Sequence, residues 1–348
     1  MINYNSCIIE ELSVHRVGNK TNDEEIQLSD QSIAVVDESL SEILLNYFLK
    51  PFDGEELYNF TFSGGEVELN PLFQYATSIF DDGIPFHENS IKVAQYLYDV
   101  ALHPNIKSGD LFVVKFSNLR LNDQPIEAIG LFKSENKHSF LTLIQQKGVP
   151  AIKHNSGIHA EKLDKGCLIF NREKEEGYRI AIVDKSNRLT EAQYWKDTFL
   201  NLSPRNDGFQ NTKAFLNIAK NYVKDQISEE FQVEKTDQME MLNRSVEYFK
   251  QNDSFNKQEF EESVFQNEEV ISSFREFDNN YRTENEIQIK DEFEISNQAV
   301  KKQSRFFKSI LKLDKNFHVY IHGDRSKIER GEDTDGRKFY KIYYEKEN

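Results

Sequence analysis

Apolar and polar positions alternate through CIIEELSVHRV (Cys7 to Val17), which predicts a first strand. The period then lengthens. Asp37 can cap a helix through ESLSEILLNYFLK, which places Leu40, Ile43, Leu44 and Tyr47 on one face before Pro51 closes it. A short strand, LYNFTF (57–62), ends at Gly64-Gly65. Two helices follow, one starting with Pro71 at a first-turn position and running to Phe80, the other from about Asn89 to Leu102. From Gly109 the pattern returns to strands. DLFVVKFSNLRLN, QPIEAIGLFKSE, HSFLTLIQQ, KGCLIFNRE and GYRIAIVDK are apolar-rich runs separated by turn signals, and they predict an antiparallel meander over about 109–185. His154 and His159 fall in a loop-like stretch between two of these runs.

EAQYWKDTFL reads as a short helix that can pack Tyr194, Trp195 and Phe199. NLSPRNDGFQ (201–210), with Pro204 and Gly208, is the best domain boundary. Helical spacing then dominates over 212–226, 236–250, 257–265 and 269–281, with Asp253 and Ser254 as caps for the third of these. After the strand-like EIQIKDEFEI comes an amphipathic helix over about 297–314, with Ser296 as its N-cap. FHVYIH and FYKIYYE then read as two strands joined by a polar loop. The expected fold is α+β: an antiparallel-sheet domain with flanking helices over 1–205, and a mostly helical region over 206–348 that ends in a β-hairpin.

With 348 residues, 38% of them hydrophobic, the chain can bury a substantial core, and 27 Phe and 15 Tyr supply bulky packing groups. The start, MINYNSCIIEELSV, lacks the cationic and apolar stretches of a signal peptide, and no run of eighteen apolar residues exists. Cys7 and Cys167 have no metal-ligand spacing. The default expectation is a cytoplasmic protein with reduced thiols and no membrane segment.

The formal net charge of −16 is unevenly spread. Residues 1–100 carry 4 Lys and Arg against 18 Asp and Glu, whereas residues 299–348 carry 13 against 8. Phosphate binding depends on the local surface, so the overall acidity does not exclude nucleic acid. AVKKQSRFFKSILKLDK (299–315) holds six cations in seventeen residues. At 100° per residue, Lys301, Arg305, Lys308, Lys312 and Lys315 form one stripe, with Lys302 beside it. Phe306, Ile310, Leu313 and Phe317 fall on the opposite side.

A docked helix needs a polar outer face in any case, and cations near its C-terminus suit the macrodipole. The functional reading joins the stripe to Arg325, Lys327, Arg330, Arg337 and Lys338 as a cationic surface for the phosphate backbone, binding without base readout. Attachment to a membrane surface is disfavoured, because the strands that follow would cover the apolar face.

Catalytic and cofactor motifs are absent. GEDTDGRK (331–338) imitates a phosphate loop, yet it lacks lysine directly after glycine and the hydroxyl residue that holds magnesium. As a calcium loop it would put Gly331 and Ile342 where carboxylates are required, so it reads as a solvated hairpin loop. His318 and His322 would share a strand face with Tyr320 but have no clear further ligands. Glu127 and Lys133 share one strand, as acids and bases do in many nucleases, without the tight acid-x-Lys spacing of a metal-bound phosphate site. No catalytic residue, metal site or cofactor is assigned.

The order of elements resembles the bacterial nucleoid-associated protein family of NdpA type. The resemblance is carried by the early strand with HRVGNK (15–20), the DESLSEILLNYFLKPF helix, GDLFVVKF with AIGLFKSE, the CLIFN, GYRIAIVD and YWKDTFL run, and the closing FHVYIH and FYKIYYE pair. It covers nearly the whole chain. It implies a cytoplasmic, nucleoid-localised DNA-binding homodimer without known catalysis, and brings no set of DNA-contacting residues. The sequence expectation is therefore non-enzymatic binding of double-stranded DNA through the C-terminal basic face. The acidic first hundred residues would face away from DNA or contact a basic protein partner. Two alternatives stand beside it: a protein–protein adaptor that uses the acidic N-terminal surface without touching DNA, and a metal-dependent nuclease-like enzyme.

Overall fold

The computed structural model describes residues 2–52, 56–146, 148–185, 194–285, 287–307, 309–313, 317–321 and 327–346. Two compact units divide the chain, Met1–Arg205 and Asn206–Asn348.

The first unit is built on an eight-stranded antiparallel sheet. Its strands are β1 (Ile2–Asn3), β2 (Ile8–Val17), β3 (Leu57–Phe60), β4 (Gly109–Leu121), β5 (Gln124–Ser134), β8 (Lys165–Phe170), β9 (Arg179–Asp184) and β10 (Leu202–Pro204), in the order β1-β4-β5-β8-β9-β3-β10 with β2 also on β4. Two further strands of the unit, β6 (Lys137–Gln146) and β7 (Val149–Ile158), pair with each other and not with the sheet. The predicted meander is thus present with one departure. The stretch read as a loop around His154 is a strand, and it forms a separate ribbon with HSFLTLIQQ.

Both faces of the sheet are covered, which explains why its strands read as nearly continuous apolar runs. Leu111, Val113, Ile129, Cys167 and Ile180 pack on one side beneath α2 (Pro71–Phe80) and α3 (Phe86–Val100), together with Trp195 and Phe199 of the π-helical turn Tyr194–Leu200. Val114, Phe116, Phe132, Leu168 and Phe170 pack on the other side against the end of α1 (Glu38–Leu49). Asp37 caps α1 by accepting from the Leu40 N–H at 2.7 Å. The expected apolar face of α1 is only partly used: Tyr47, Phe48 and Leu49 are buried, whereas Leu40 and Ile43 remain 45% and 48% exposed.

The second unit is mostly helical. α4 (Gly208–Asn221) runs through a π-helical turn, Tyr222–Gln226, into a short helix at Ile227–Glu230. α5 (Lys235–Gln251), α6 (Lys257–Val264), α7 (Glu268–Glu284) and α8 (Asn297–Ser304) follow. An aromatic cluster fills the centre, with Phe215 4.3 Å from Phe255 and 5.0 Å from Phe260, ring centre to ring centre. The cap of α6 is Asn256, not Asp253 or Ser254, because Ser254–Asn256 form a strand, β11, paired with β12 (Glu292–Glu294). Among the described residues of EIQIKDEFEI, only Glu292–Glu294 are strand.

The predicted helix over 297–314 is shorter than its periodicity suggested. α8 ends at Ser304, a 3-10 turn covers Arg305–Phe307, and Ser309–Leu313 is a strand, β13, paired antiparallel with β14 (Phe317–Ile321). SILKL is a short apolar run that suits either period, and pairing with FHVYI selects the strand. FHVYI therefore pairs backwards along the chain. The closing hairpin joins β15 (Ile328–Glu332) to β16 (Lys338–Ile342), around a turn in which the Asp333 carboxylate accepts from the Arg337 N–H at 2.8 Å. Gly336, at φ +77°, supplies the left-handed position this turn needs.

Candidate nucleic-acid interface

The cations expected to form one helical stripe are split by this change of structure. Lys301 and Lys302 lie in the last turn of α8, and Arg305 follows in the 3-10 turn. Lys312 sits on β13, where only its backbone is described. Lys308, Lys315 and Arg325, together with His322, lie outside the described residues.

Ser296 caps α8 as expected, accepting from the Ala299 N–H at 3.3 Å, and Ala299, Val300 and Gln303 anchor the helix to the unit. That docking turns Lys301 and Arg305 into solvent. Neither makes an ion pair with a described carboxylate. Lys302 is half-buried, its ammonium 5.4 Å from the centre of the Phe209 ring. Phe306, placed on the apolar side by periodicity, is instead 60% exposed, while Phe307 next to it is buried.

Packing also brings in two cations that the sequence pattern did not single out. Lys220, on α4, has its ammonium 5.8 Å from the centre of the Phe306 ring, and Lys224 donates to the Phe306 carbonyl at 3.3 Å. Burial pulls the Lys220 ammonium below the usual lysine range, and the neighbouring Lys224 pushes it the same way against the opposing pull of Asp225. Two lysines four residues apart on a helix, ahead of an aromatic-rich segment, are the sequence trace of this cluster. Lys220, Lys224, Lys301 and Arg305 thus lie on the elements that surround an exposed aromatic ring.

The hairpin cations are differently placed. Lys327 is 2.7 Å from Glu345, Arg330 3.6 Å from Glu234, and Arg337 3.4 Å from Asp335. Lys338 is exposed. Surface pairs of this kind are weak, yet each carboxylate offsets a charge that phosphate would otherwise use. Lys301 and Arg305, by contrast, have no carboxylate partner among the described residues.

Residues considered for nuclease chemistry do not converge. Glu127 is exposed and accepts from the Asn171 side chain at 3.2 Å. Lys133 is buried six residues further along β5. Its ammonium is held by Glu135 at 3.0 Å, the Tyr194 hydroxyl at 3.1 Å and the Lys107 carbonyl at 2.6 Å. Burial lowers the Lys133 pKa, and Glu135 opposes that. This is a satisfied structural network. Among the described residues no three His, Cys, Asp or Glu side chains gather as a metal site would require. Both cysteines are buried and unpaired, and burial pushes the Cys7 thiol up to about 12. No helix among the described residues is long and apolar enough to cross a membrane.

Comparison with protein-family models gives a match to nucleoid-associated protein YejK (NA37) over residues 13–336. The chain belongs to the nucleoid-associated protein YejK family. This match spans both units, from β2 to the turn of the closing hairpin, and agrees with the bacterial nucleoid-associated resemblance read from the sequence. No curated protein matches the chain. A YejK-family protein is associated with the nucleoid, so a surface able to meet a polyanion is the feature of interest.

Proposed function

We propose that this protein is a non-enzymatic, nucleoid-associated DNA-binding protein that holds double-stranded DNA through its phosphate backbone, using the cationic face of the C-terminal unit. The contact comprises Lys301, Lys302 and Arg305, extended by Lys220 and Lys224. Lys308, Lys312, Lys315, Arg325, Lys327, Arg330, Arg337 and Lys338 supply further charge in the segments that follow. The observation that carries this reading is the exposure of Lys301 and Arg305 beside Lys220 of α4 and Lys224 of the π-helical turn after it, in a family named for nucleoid association. Cations held on rigid elements neutralise phosphates and release counterions without reading base edges, so little sequence preference is expected. The Phe306 ring adds an apolar contact for the sugar surface.

The test is fluorescence anisotropy of a labelled random-sequence duplex at about 50 mM salt, without and then with magnesium, followed by recovery of the duplex. Binding of intact duplex in both conditions is expected. Magnesium-dependent loss of intact DNA would support the nuclease alternative, and absence of binding at low salt would support the acidic adaptor.

A further inference from the structure

Glu261, on α6, is only 1% exposed, and its carboxylate is held from one side. Arg275, on α7, directs Nε at 2.8 Å and Nη2 at 2.7 Å to the same oxygen, Oε2. No described residue donates to Oε1. A buried carboxylate oxygen without a donor is costly, and the packing of the unit does not account for it.

Glu261 lines a cavity of about 310 Å³ together with Asn256, Lys257, Gln258, Arg275, Asp291 and Glu292. The donors on its wall are already directed at carboxylates. The Lys257 ammonium lies 2.6 Å from Asp278, the Asn256 side-chain amide donates to Glu292 at 3.1 Å, and that of Gln258 donates to Glu262 at 2.9 Å. The charge balance points the same way. Glu261, Asp278, Asp291 and Glu292 are four carboxylates against three cations, Lys257, Arg275 and Arg282. Glu262 and Glu268 add to the negative field at Arg275. The cavity therefore calls for a donor that carries positive charge.

Among the described residues no three carboxylates are gathered as a metal requires. A guanidinium uses its planar fork on two paired oxygens, and Arg275 already occupies Oε2. An ammonium carries three donors on one atom, which suits a single open oxygen with further carboxylates around it.

We propose that this cavity binds a primary ammonium group, which donates to Glu261 Oε1 and is held by the exposed carboxylates of Asp291 and Glu292 on the same wall. A free alkylamine and the lysine side chain of a partner protein both carry that group. The site shares no residue with the proposed DNA contact and does not depend on it.

Isothermal titration of the full chain, in a buffer free of amines and phosphate, tests it with two probes, n-butylamine and lysine capped at both ends. Saturable binding of at least one is expected, with a dissociation constant of about 1 mM or below. Tighter binding of butylamine assigns a free amine, and tighter binding of capped lysine assigns a protein side chain. Glu261→Gln should weaken binding at least about tenfold, and Glu292→Gln by about threefold. Thermal melts of the same samples report folding, and the exposed Glu292 position keeps the test decisive should Glu261→Gln unfold. No saturable binding of either amine, or affinities unchanged in the folded variants, would overturn the proposal. So would saturable binding of magnesium or of inorganic phosphate in place of the amines, because the cavity would then be a metal or an anion site.

Discussion

The Lys220 ammonium lies 5.8 Å from the centre of the Phe306 ring, which joins α4 to the turn that ends α8. Through that approach a cation far earlier in the chain belongs to the same surface as Lys301 and Arg305. The triple reversal Lys224→Glu, Lys301→Glu and Arg305→Glu should lower duplex affinity at least tenfold at low salt, while the fold is retained because all three side chains are exposed. Anisotropy with circular dichroism on the same preparation checks both halves.

His15 is buried, its Nε2 2.9 Å from the Ser90 hydroxyl and its Nδ1 accepting from the Ser29 N–H at 3.2 Å. Burial, with His87 adding to it, lowers its pKa to about 4 from the ordinary 6.5. The unfolded chain therefore binds this proton more readily than the folded one. Stability is unaffected by His15 above 6.5 and falls as pH drops from 6.5 towards 4. Thermal melts over that window should show a smaller decline in His15→Asn than in wild type, and parallel curves would contradict the assignment.

Lys133 neutralises Glu135 beneath the Tyr194 hydroxyl, with both charged groups almost fully buried. Lys133→Met should cost about 3–5 kcal/mol because Glu135 is left uncompensated. Tyr194→Phe should cost about 1–2 kcal/mol, since its hydroxyl no longer bonds to Lys133 and Glu135. Urea unfolding of the two variants gives the ratio.

Asp278 is the counterpart in the second unit, fully buried between Lys257 at 2.6 Å and Arg282 at 2.7 Å. Asp278→Asn keeps the shape but removes the buried charge shared by Lys257 and Arg282, leaving Arg282 only the exposed Asp291 at 3.5 Å, and about 3–5 kcal/mol of destabilisation is expected in chemical denaturation. A change below about 1 kcal/mol would mean that water solvates the pair.

Local chemistry made much of this fold legible. Asp37 before α1, Pro71 at the start of α2 and Ser296 before α8 act within one helical turn, so their signals stand where no strand pairing competes, as it does at Asp253 and Ser254. Alternation likewise located β2, and apolar-rich runs between turn signals located β4, β5, β8 and β9. What escaped depends on which neighbour a segment packs against, whether across a short hairpin or from far along the chain. SILKL became a strand because FHVYI lies against it, and that broke the continuous stripe expected from Lys301 to Lys315. The strand around His154 was missed because its polar positions mimic a loop until HSFLTLIQQ is set beside it. Lys220 and Lys224 could join the candidate surface only once α4 was packed against α8. The exposed half of α1 shows the converse: periodicity marks an apolar face, and says nothing of whether this chain or another covers it.

The measurement that tests the central claim most directly is the salt dependence of duplex affinity, taken by anisotropy from about 50 to 200 mM salt for the wild type and for the Lys224, Lys301 and Arg305 reversal. If the cationic face holds the phosphate backbone, log affinity falls linearly with log salt. Two duplexes of unrelated sequence then give the same line, and the reversal flattens the slope by about 0.9 for each phosphate the protein no longer neutralises. An unchanged slope in the reversal, or affinity that is insensitive to salt, would contradict the assignment of DNA to this face.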